Sequence, residues 1–225
     1  MIRYSPVVPP YHETVSQEFP ETRWSQLLEL RDPSHPRYAE HLERLAKQYW
    51  NPVFHYAQAL SKADAEDLTQ QFFAMLLARR DLEKLSPERG SFRGFLKTAL
   101  RNFVMSAGRA ASLRATVPLK EEADFRSPEQ AFDREWARGV LAEAVARLRK
   151  ESAPASFEIF REYCLEESGA SYADLAKRHK VSEDDVRNRL REARLRVREI
   201  LEDLLRDYLL PGQDVDAELR FILSK

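Results

Sequence analysis

The chain has 225 residues, enough for one large domain or two small ones. Hydrophobic residues make up 43% and charged residues 32%, a globular composition that excludes wholesale disorder. The net charge of -1 hides a strong segregation of charge along the sequence.

Composition also argues against several kinds of site. The six glycines are too widely spaced for a G-x-G-x-x-G or Walker loop, and the five histidines show no metal-ligand spacing, so we expect neither cofactor nor metal. No apolar run approaches the roughly 20 residues that a membrane span needs, and the N-terminus lacks a signal-peptide core. The single cysteine, Cys164, permits no internal disulfide, which fits a reducing cytoplasm.

The first part of the chain reads as a tail followed by helices. Residues 1–21 hold four prolines and no helical period, which predicts an extended tail. Thr22 is the expected cap of a short helix that ends at Asp32-Pro33, and a second helix is expected over Pro36–Trp50. We interpret Asn51-Pro52 as a cap followed by proline at the first position of a third helix.

Two more helices and a linker complete the first half. Ser61 opens a helix with an apolar stripe, and Ser91–Arg109 carries apolar residues in the i, i+3, i+4 progression of an amphipathic helix. Ser86-Pro87 and Gly90 mark the loop between them. Residues 113–130 lose the period and are predicted to form a linker.

Helical patterning resumes near Pro128 and continues to about residue 210, and no convincing strand appears. The predicted fold is all-α, with two small helical domains at 22–112 and 131–210 joined by the linker. In the extension 211–225, apolar residues such as Leu219 and Ile222 are expected to dock on the protein's own surface, with a partner surface as the alternative.

The window from Arg89 to Lys120 contains seven basic residues and not one acid. Arg93, Lys97 and Arg101 are spaced i, i+4, i+8 and therefore line one face of the fifth helix, where like charges cost a few tenths of a kcal/mol each. We expect a polyanion to compensate them. A merely solvated basic face is the alternative.

A second basic cluster of six arginines between Arg187 and Arg198 follows a helix-turn-helix pattern. Tyr172–His179 is the expected first helix, and Ser182 is the expected N-cap of the second. Lys180 occupies the turn position often filled by glycine, at a cost of roughly 1 kcal/mol if its φ is positive.

A third cluster is acidic and stands at the head of the fourth helix, at Asp64, Glu66 and Asp67. Paired carboxylates can serve acid–base catalysis, but no other catalytic signature accompanies them, so we do not expect an enzyme. Acids at this position can also simply stabilise the positive end of a helix.

Two strings carry a family resemblance. ADAEDLTQQFF at 63–73 with GSFRGFLKTALRNF at 90–103 resembles region two of bacterial extracytoplasmic-function (ECF) sigma factors. SYADLA at 171–176 with VRNRLREAR at 186–194 resembles region four of the same class. The resemblance implies binding of core RNA polymerase, at its clamp and flap, and recognition of the minus-ten and minus-thirty-five promoter elements.

The resemblance also assigns roles to residues. It places four residues on the clamp-binding helix: Asp64, Glu66, Asp67 and Gln70. It places seven at the minus-ten element: Arg89, Ser91, Phe92, Arg93, Lys97, Arg101 and Asn102. It places four on the helix that reads the minus-thirty-five element: Arg187, Asn188, Arg191 and Arg194.

Several questions stay open at this level. Phe92 could line a pocket for an unstacked base or belong to the core. Thr69, beside the acids, is a candidate phosphosite for a serine/threonine kinase, and an anti-sigma protein is another candidate partner. The alternative function is a helix-turn-helix regulator whose first domain senses a ligand or dimerises.

Overall fold

The computed structural model describes residues 24–60, 64–78, 81–86, 90–112, 127–166, 169–208 and 214–223. Within these ranges the chain is mostly helical and contains no strand, as expected. None of the helices described there is long and apolar enough to cross a membrane. The predicted tail at 1–21, Arg89 and most of the predicted linker lie outside the described residues.

The helices of the first half begin and end as follows: α1 Trp24–Glu29, α2 Tyr38–Leu60, α3 Ala65–Ala78, a 3-10 turn Asp81–Lys84, and α4 Phe92–Ser112. Those of the second half are α5 Pro128–Glu151, α6 Pro154–Phe160, a π-helical turn Arg161–Leu165, α7 Tyr172–His179, α8 Glu183–Tyr208 and α9 Val215–Leu223. The sequence pattern did not predict the 3-10 turn or the π-helical turn.

The described residues fall into two compact units. The N-terminal unit comprises residues 24–137 with 207–208, and the C-terminal unit comprises residues 138–206 with 214–223. Helix α5 contributes to both, because its residues up to Ala137 belong to the N-terminal unit and those from Arg138 to the C-terminal unit.

An aromatic cluster around Tyr49 of α2 forms the centre of the N-terminal unit. The Tyr49 ring meets Phe92 of α4 edge-on with centroids 5.2 Å apart, and it stacks on Phe132 of α5 at 6.4 Å. Phe72 of α3 is fully buried and contacts the Phe103 ring of α4 at 5.9 Å. Four helices therefore share one apolar core, and burial of each ring contributes a few kcal/mol.

The predicted break at Asn51-Pro52 is wrong, since α2 runs through Pro52 without interruption. A proline inside a helix removes one backbone hydrogen bond and costs about 3 kcal/mol. Only a continuous helix keeps Tyr49, Val53 and Tyr56 on the same buried face. At about 25 cal/mol per Å² and about 150–250 Å² for each aromatic ring, that burial outweighs the cost of the proline.

In the C-terminal unit, α7 and α8 begin with reciprocal side-chain caps. Ser171 and Asp174 form a capping box at α7, in which the Asp174 amide donates to the Ser171 hydroxyl. Ser182 caps α8 in the same manner, because the Asp185 amide donates to the Ser182 hydroxyl at 3.0 Å while Asp185 accepts from the Ser182 amide. The predicted N-cap at Ser182 is confirmed.

The turn between these helices places Lys180 in the left-handed region, at φ 55 and ψ 44. It is the single non-glycine residue with positive φ among the residues that the structure describes. Its amide and that of Val181 both donate to the Ala176 carbonyl, which ends α7 sharply. The predicted strain at Lys180 is therefore present in the fold.

Helix α9 packs within the C-terminal unit. Leu219 and Ile222 are each 3% exposed, and Asp216 pairs with Arg198 of α8 at 3.0 Å. Leu219 and Ile222 are thus buried in the protein itself, whereas Phe221 and Leu223 are half-buried. Residues 211–213 and 224–225 lie outside the described ranges.

Replacement of Lys180 by glycine is expected to stabilise the protein. The left-handed conformation costs an L-residue about 1–2 kcal/mol, and the greater freedom of glycine in the unfolded chain leaves a net gain of about 0.5–1 kcal/mol. Lys180→Gly should raise the thermal midpoint by about 1–4 °C, as measured by calorimetry. Lys180→Ala removes the same charge but keeps Cβ, so equal midpoints for the two variants would contradict the strain.

Candidate nucleic-acid interface

The acidic residues at the head of α3 are exposed. Asp64 precedes the helix and its carbonyl accepts the Leu68 amide, while Glu66 and Asp67 occupy the first turn. Gln70 is exposed one turn after Glu66, so the two side chains share a face. The four residues assigned to polymerase binding therefore form one solvent-facing patch.

Thr69 lies on the opposite side of the same helix. Its side chain is fully buried, and its hydroxyl donates to the Ala65 carbonyl at 2.7 Å. A kinase can reach this hydroxyl only if α3 opens locally. The burial of Thr69 thus argues against phosphorylation of the folded helix.

At the start of α4, two of the residues assigned to the minus-ten element have structural contacts. The Ser91 hydroxyl accepts the Gly94 amide at 3.1 Å and so caps the helix. Phe92 is 3% exposed and packs against Tyr49 and Phe95. Phe92 therefore belongs to the apolar core of the unit.

The basic face of α4 meets an acid from α5. The Lys97 ammonium donates to both carboxylate oxygens of Asp133 at 2.9 Å each. The Arg93 Nε lies 3.8 Å from the same carboxylate, and its guanidinium lies 4.3 Å from the centre of the Trp136 ring. An intramolecular carboxylate therefore compensates these two cations, where the sequence pattern predicted a polyanion.

The remainder of that face is open. Arg101 and Asn102 are exposed, and Met105, one turn further along, is 55% exposed. Arg101 has no acidic partner within the ranges that the structure describes. Arg93 and Lys97 are thus covered by α5, whereas Arg101 is accessible to solvent.

A second acid of α5 extends the same contact. The Tyr56 hydroxyl donates to Glu129 at 3.4 Å, and Glu129 lies one helical turn before Asp133. Partial burial and this carboxylate raise the pKa of Tyr56 to about 12, so the phenol stays protonated at neutral pH. Two acids of α5 at i and i+4 therefore face α2 and α4.

On α8 the arginines divide by their surroundings. Arg196 pairs with Glu151 at 2.7 Å and with Glu199, and Arg198 pairs with Glu202 and Asp216. Among the residues that the structure describes, Arg187 forms an ion pair with the exposed Asp184 of its own helix. Arg191 and Asn188 are exposed, and Arg191 has no ion pair among the described residues. The first turns of α8 thus present the least compensated cations.

Arg194 differs from the other residues assigned to the minus-thirty-five element. Its guanidinium lies 5.4 Å from the centre of the Tyr163 ring, and its Nη2 lies 3.9 Å from the Cys164 Sγ. Burial raises the pKa of the Cys164 thiol, and the charge of Arg194 opposes that rise. Arg194 is therefore engaged with the π-helical turn, although it remains exposed.

The π-helical turn also holds α7. The buried Glu162 carboxylate contacts Arg178, and the His179 Nε2 lies 3.0 Å from its other oxygen. Removal of a buried, charge-assisted contact of this kind typically costs about 1.5–3 kcal/mol. Glu162 thus fixes the end of α7, immediately before Lys180.

No family model matches the chain, and no curated protein does. In the part of the chain that the structure describes, no group of three or more His, Cys, Asp or Glu residues is placed to hold a metal ion. Exposed polar residues on α3, α4 and α8 are the candidate binding surfaces of the protein.

The sequence reasoning missed Asp133 and Glu162. A signal for Asp133 was present, since Glu129, Asp133 and Trp136 follow the i, i+4, i+7 spacing of one helix face. No local pattern announces Glu162, because its partners lie 16 and 17 residues further on and meet it only after a π-helical turn.

Proposed function

We propose that the protein is an ECF-type sigma factor that binds core RNA polymerase and directs it to promoters. The observation that carries the proposal is the exposure of polar residues from both motif strings, each on its own compact unit. The acids of the first string are exposed at the head of α3, and three arginines of the second, Arg187, Arg191 and Arg194, are exposed on α8. A protein that directs polymerase to promoters needs one surface that binds the polymerase and another that binds DNA.

The patch on α3 supports the polymerase contact. Glu66, Asp67 and Gln70 are exposed, whereas Ala65, Phe72 and Leu76 of that helix are buried. Exposed acids give an electrostatic complement to a basic partner surface and accelerate association with it.

The first turns of α8 support contact with duplex DNA, with α7 and α8 forming the helix-turn-helix. Arginine can make paired hydrogen bonds to guanine in the major groove, and asparagine can make them to adenine. Arg187, Asn188 and Arg191 lie within about one turn of each other, as base contacts on a recognition helix require. Arg196 and Arg198, which are held by acids, suit phosphate or structural roles instead.

The polymerase contact predicts the effect of reversing one charge. Asp67→Arg should weaken binding to core polymerase by about tenfold or more, with helix content unchanged. Binding is measured by fluorescence anisotropy of the labelled chain titrated with core polymerase. Glu43→Arg is the matched control, because Glu43 is an exposed acid of α2 paired only with Lys47.

Equal affinities for Asp67→Arg and Glu43→Arg would contradict the role of the α3 patch. If the wild-type chain binds DNA but not core polymerase, the sigma-factor proposal fails. A helix-turn-helix regulator would then explain the DNA contact.

The DNA contact predicts different effects for two arginines of α8. Arg191→Ala should cost roughly 1–3 kcal/mol and relax the preference at one base of the minus-thirty-five element. Arg196→Ala removes an arginine already held by Glu151 and Glu199, so it should leave that preference intact. The measurement is binding to a set of single-base promoter variants. The same uniform loss for both variants would contradict base reading by Arg191.

A further inference from the structure

The contact of Asp133 with α4 has the chemistry of a phosphate contact. Two carboxylate oxygens hold the Lys97 ammonium at 2.9 Å each, and Arg93 approaches the same group at 3.8 Å. A backbone phosphate also has two equivalent oxygens and binds ammonium and guanidinium groups through the same kind of charge-assisted contact.

Solvent screens this contact only weakly. The side chains of Lys97, Asp133 and Arg93 are 26%, 19% and 17% exposed. Charges that are partly buried interact more strongly than charges on an open surface. A polyanion that approaches α4 must therefore compete with Asp133 for both cations. Of the α4 cations whose side chains the structure describes, Arg101 is the one that it meets without competition.

The attachment of α5 to the N-terminal unit does not depend on the carboxylate alone. Phe132 is fully buried and stacks on Tyr49, and Trp136 is 2% exposed. Burial of two aromatic rings contributes several kcal/mol. The helix can therefore stay in place while the carboxylate exchanges its partner.

We propose that Asp133 is an intramolecular competitor of DNA phosphate at Lys97 and Arg93, which lowers the affinity of the free chain for nucleic acid. When DNA binds across α4, its backbone replaces the carboxylate. This inference rests on the proposed function, which makes DNA the relevant ligand. The affinity of the chain for nucleic acid can nevertheless be measured without polymerase.

The test compares the affinity of full-length variants for a fluorescein-labelled oligothymidine of about 20 nucleotides at several salt concentrations. Asp133→Asn should bind about threefold to tenfold more tightly at low salt. The slope of log affinity against log salt should steepen by about 0.7 for each cation released to a single strand. Asp133→Glu keeps the charge and should bind like the wild type.

Two further variants isolate the cause. Glu43→Gln changes the net charge by the same amount on α2, where Glu43 pairs with Lys47, and it should bind like the wild type. Lys97→Gln removes a phosphate contact and should weaken the wild-type affinity, and it should remove most of the gain of Asp133→Asn when the two are combined.

Each other outcome overturns the proposal. If Asp133→Asn folds but binds no more tightly than Glu43→Gln, Asp133 only anchors α5. If Asp133→Asn is unfolded by circular dichroism, the contact is indispensable for folding and cannot be a competitor. Either result leaves the sigma-factor proposal standing, because core polymerase binding tests that separately.

Discussion

Three cations at i, i+4 and i+8 repel one another along one face of α4, and the N-terminal unit supplies a counter-charge from α5. The Asp133 carboxylate pairs with two of the three cations, Arg93 and Lys97, and the Trp136 ring packs against the Arg93 guanidinium. The aromatic cluster of Tyr49, Phe92 and Phe132 lies under this contact. The Phe132 and Trp136 rings hold the first turns of α5 in place, and the ion pair decides which part of the basic face of α4 stays accessible.

The same principle separates the arginines of α8. Acids from α5, α8 and α9 hold the arginines of its later turns. Nearer its start, Arg187 pairs with the exposed Asp184, and Arg191 has no ion pair to any residue that the structure describes. In both units, intramolecular acids restrict which cations remain available to a polyanion. The charge pattern of the sequence alone overstates the basic surface.

Much of the fold follows from local signals. The i, i+3, i+4 progression predicted α4, the serine caps predicted the start of α8, and the turn chemistry predicted strain at Lys180. The prediction at Pro52 was wrong because the burial of residues on both sides of Pro52 outweighs the cost of a proline inside the helix. Local rules succeed where the determining contacts are within a few residues.

The site was harder to predict for a physical reason. Helix periodicity places exposed residues such as Asp67 and Arg191 on the surface. It gives no sign that Lys97 pairs with an acid 36 residues further along the chain. Phe92 and Thr69 have polar or aromatic chemistry that suits a function, yet their helix faces turn them into the core. Long-range packing decides these cases, and single-sequence patterns do not encode it.

The central claim is that Asp133 and Lys97 interact directly as charge and counter-charge. A double-mutant cycle of Asp133→Asn and Lys97→Met tests it, with urea unfolding followed by Trp136 fluorescence in a chain carrying Trp24→Phe and Trp50→Phe. We predict a favourable coupling free energy of about 0.5–3 kcal/mol that persists at high salt, because the pair is partly buried. Additive effects, within about 0.3 kcal/mol, would contradict the claim.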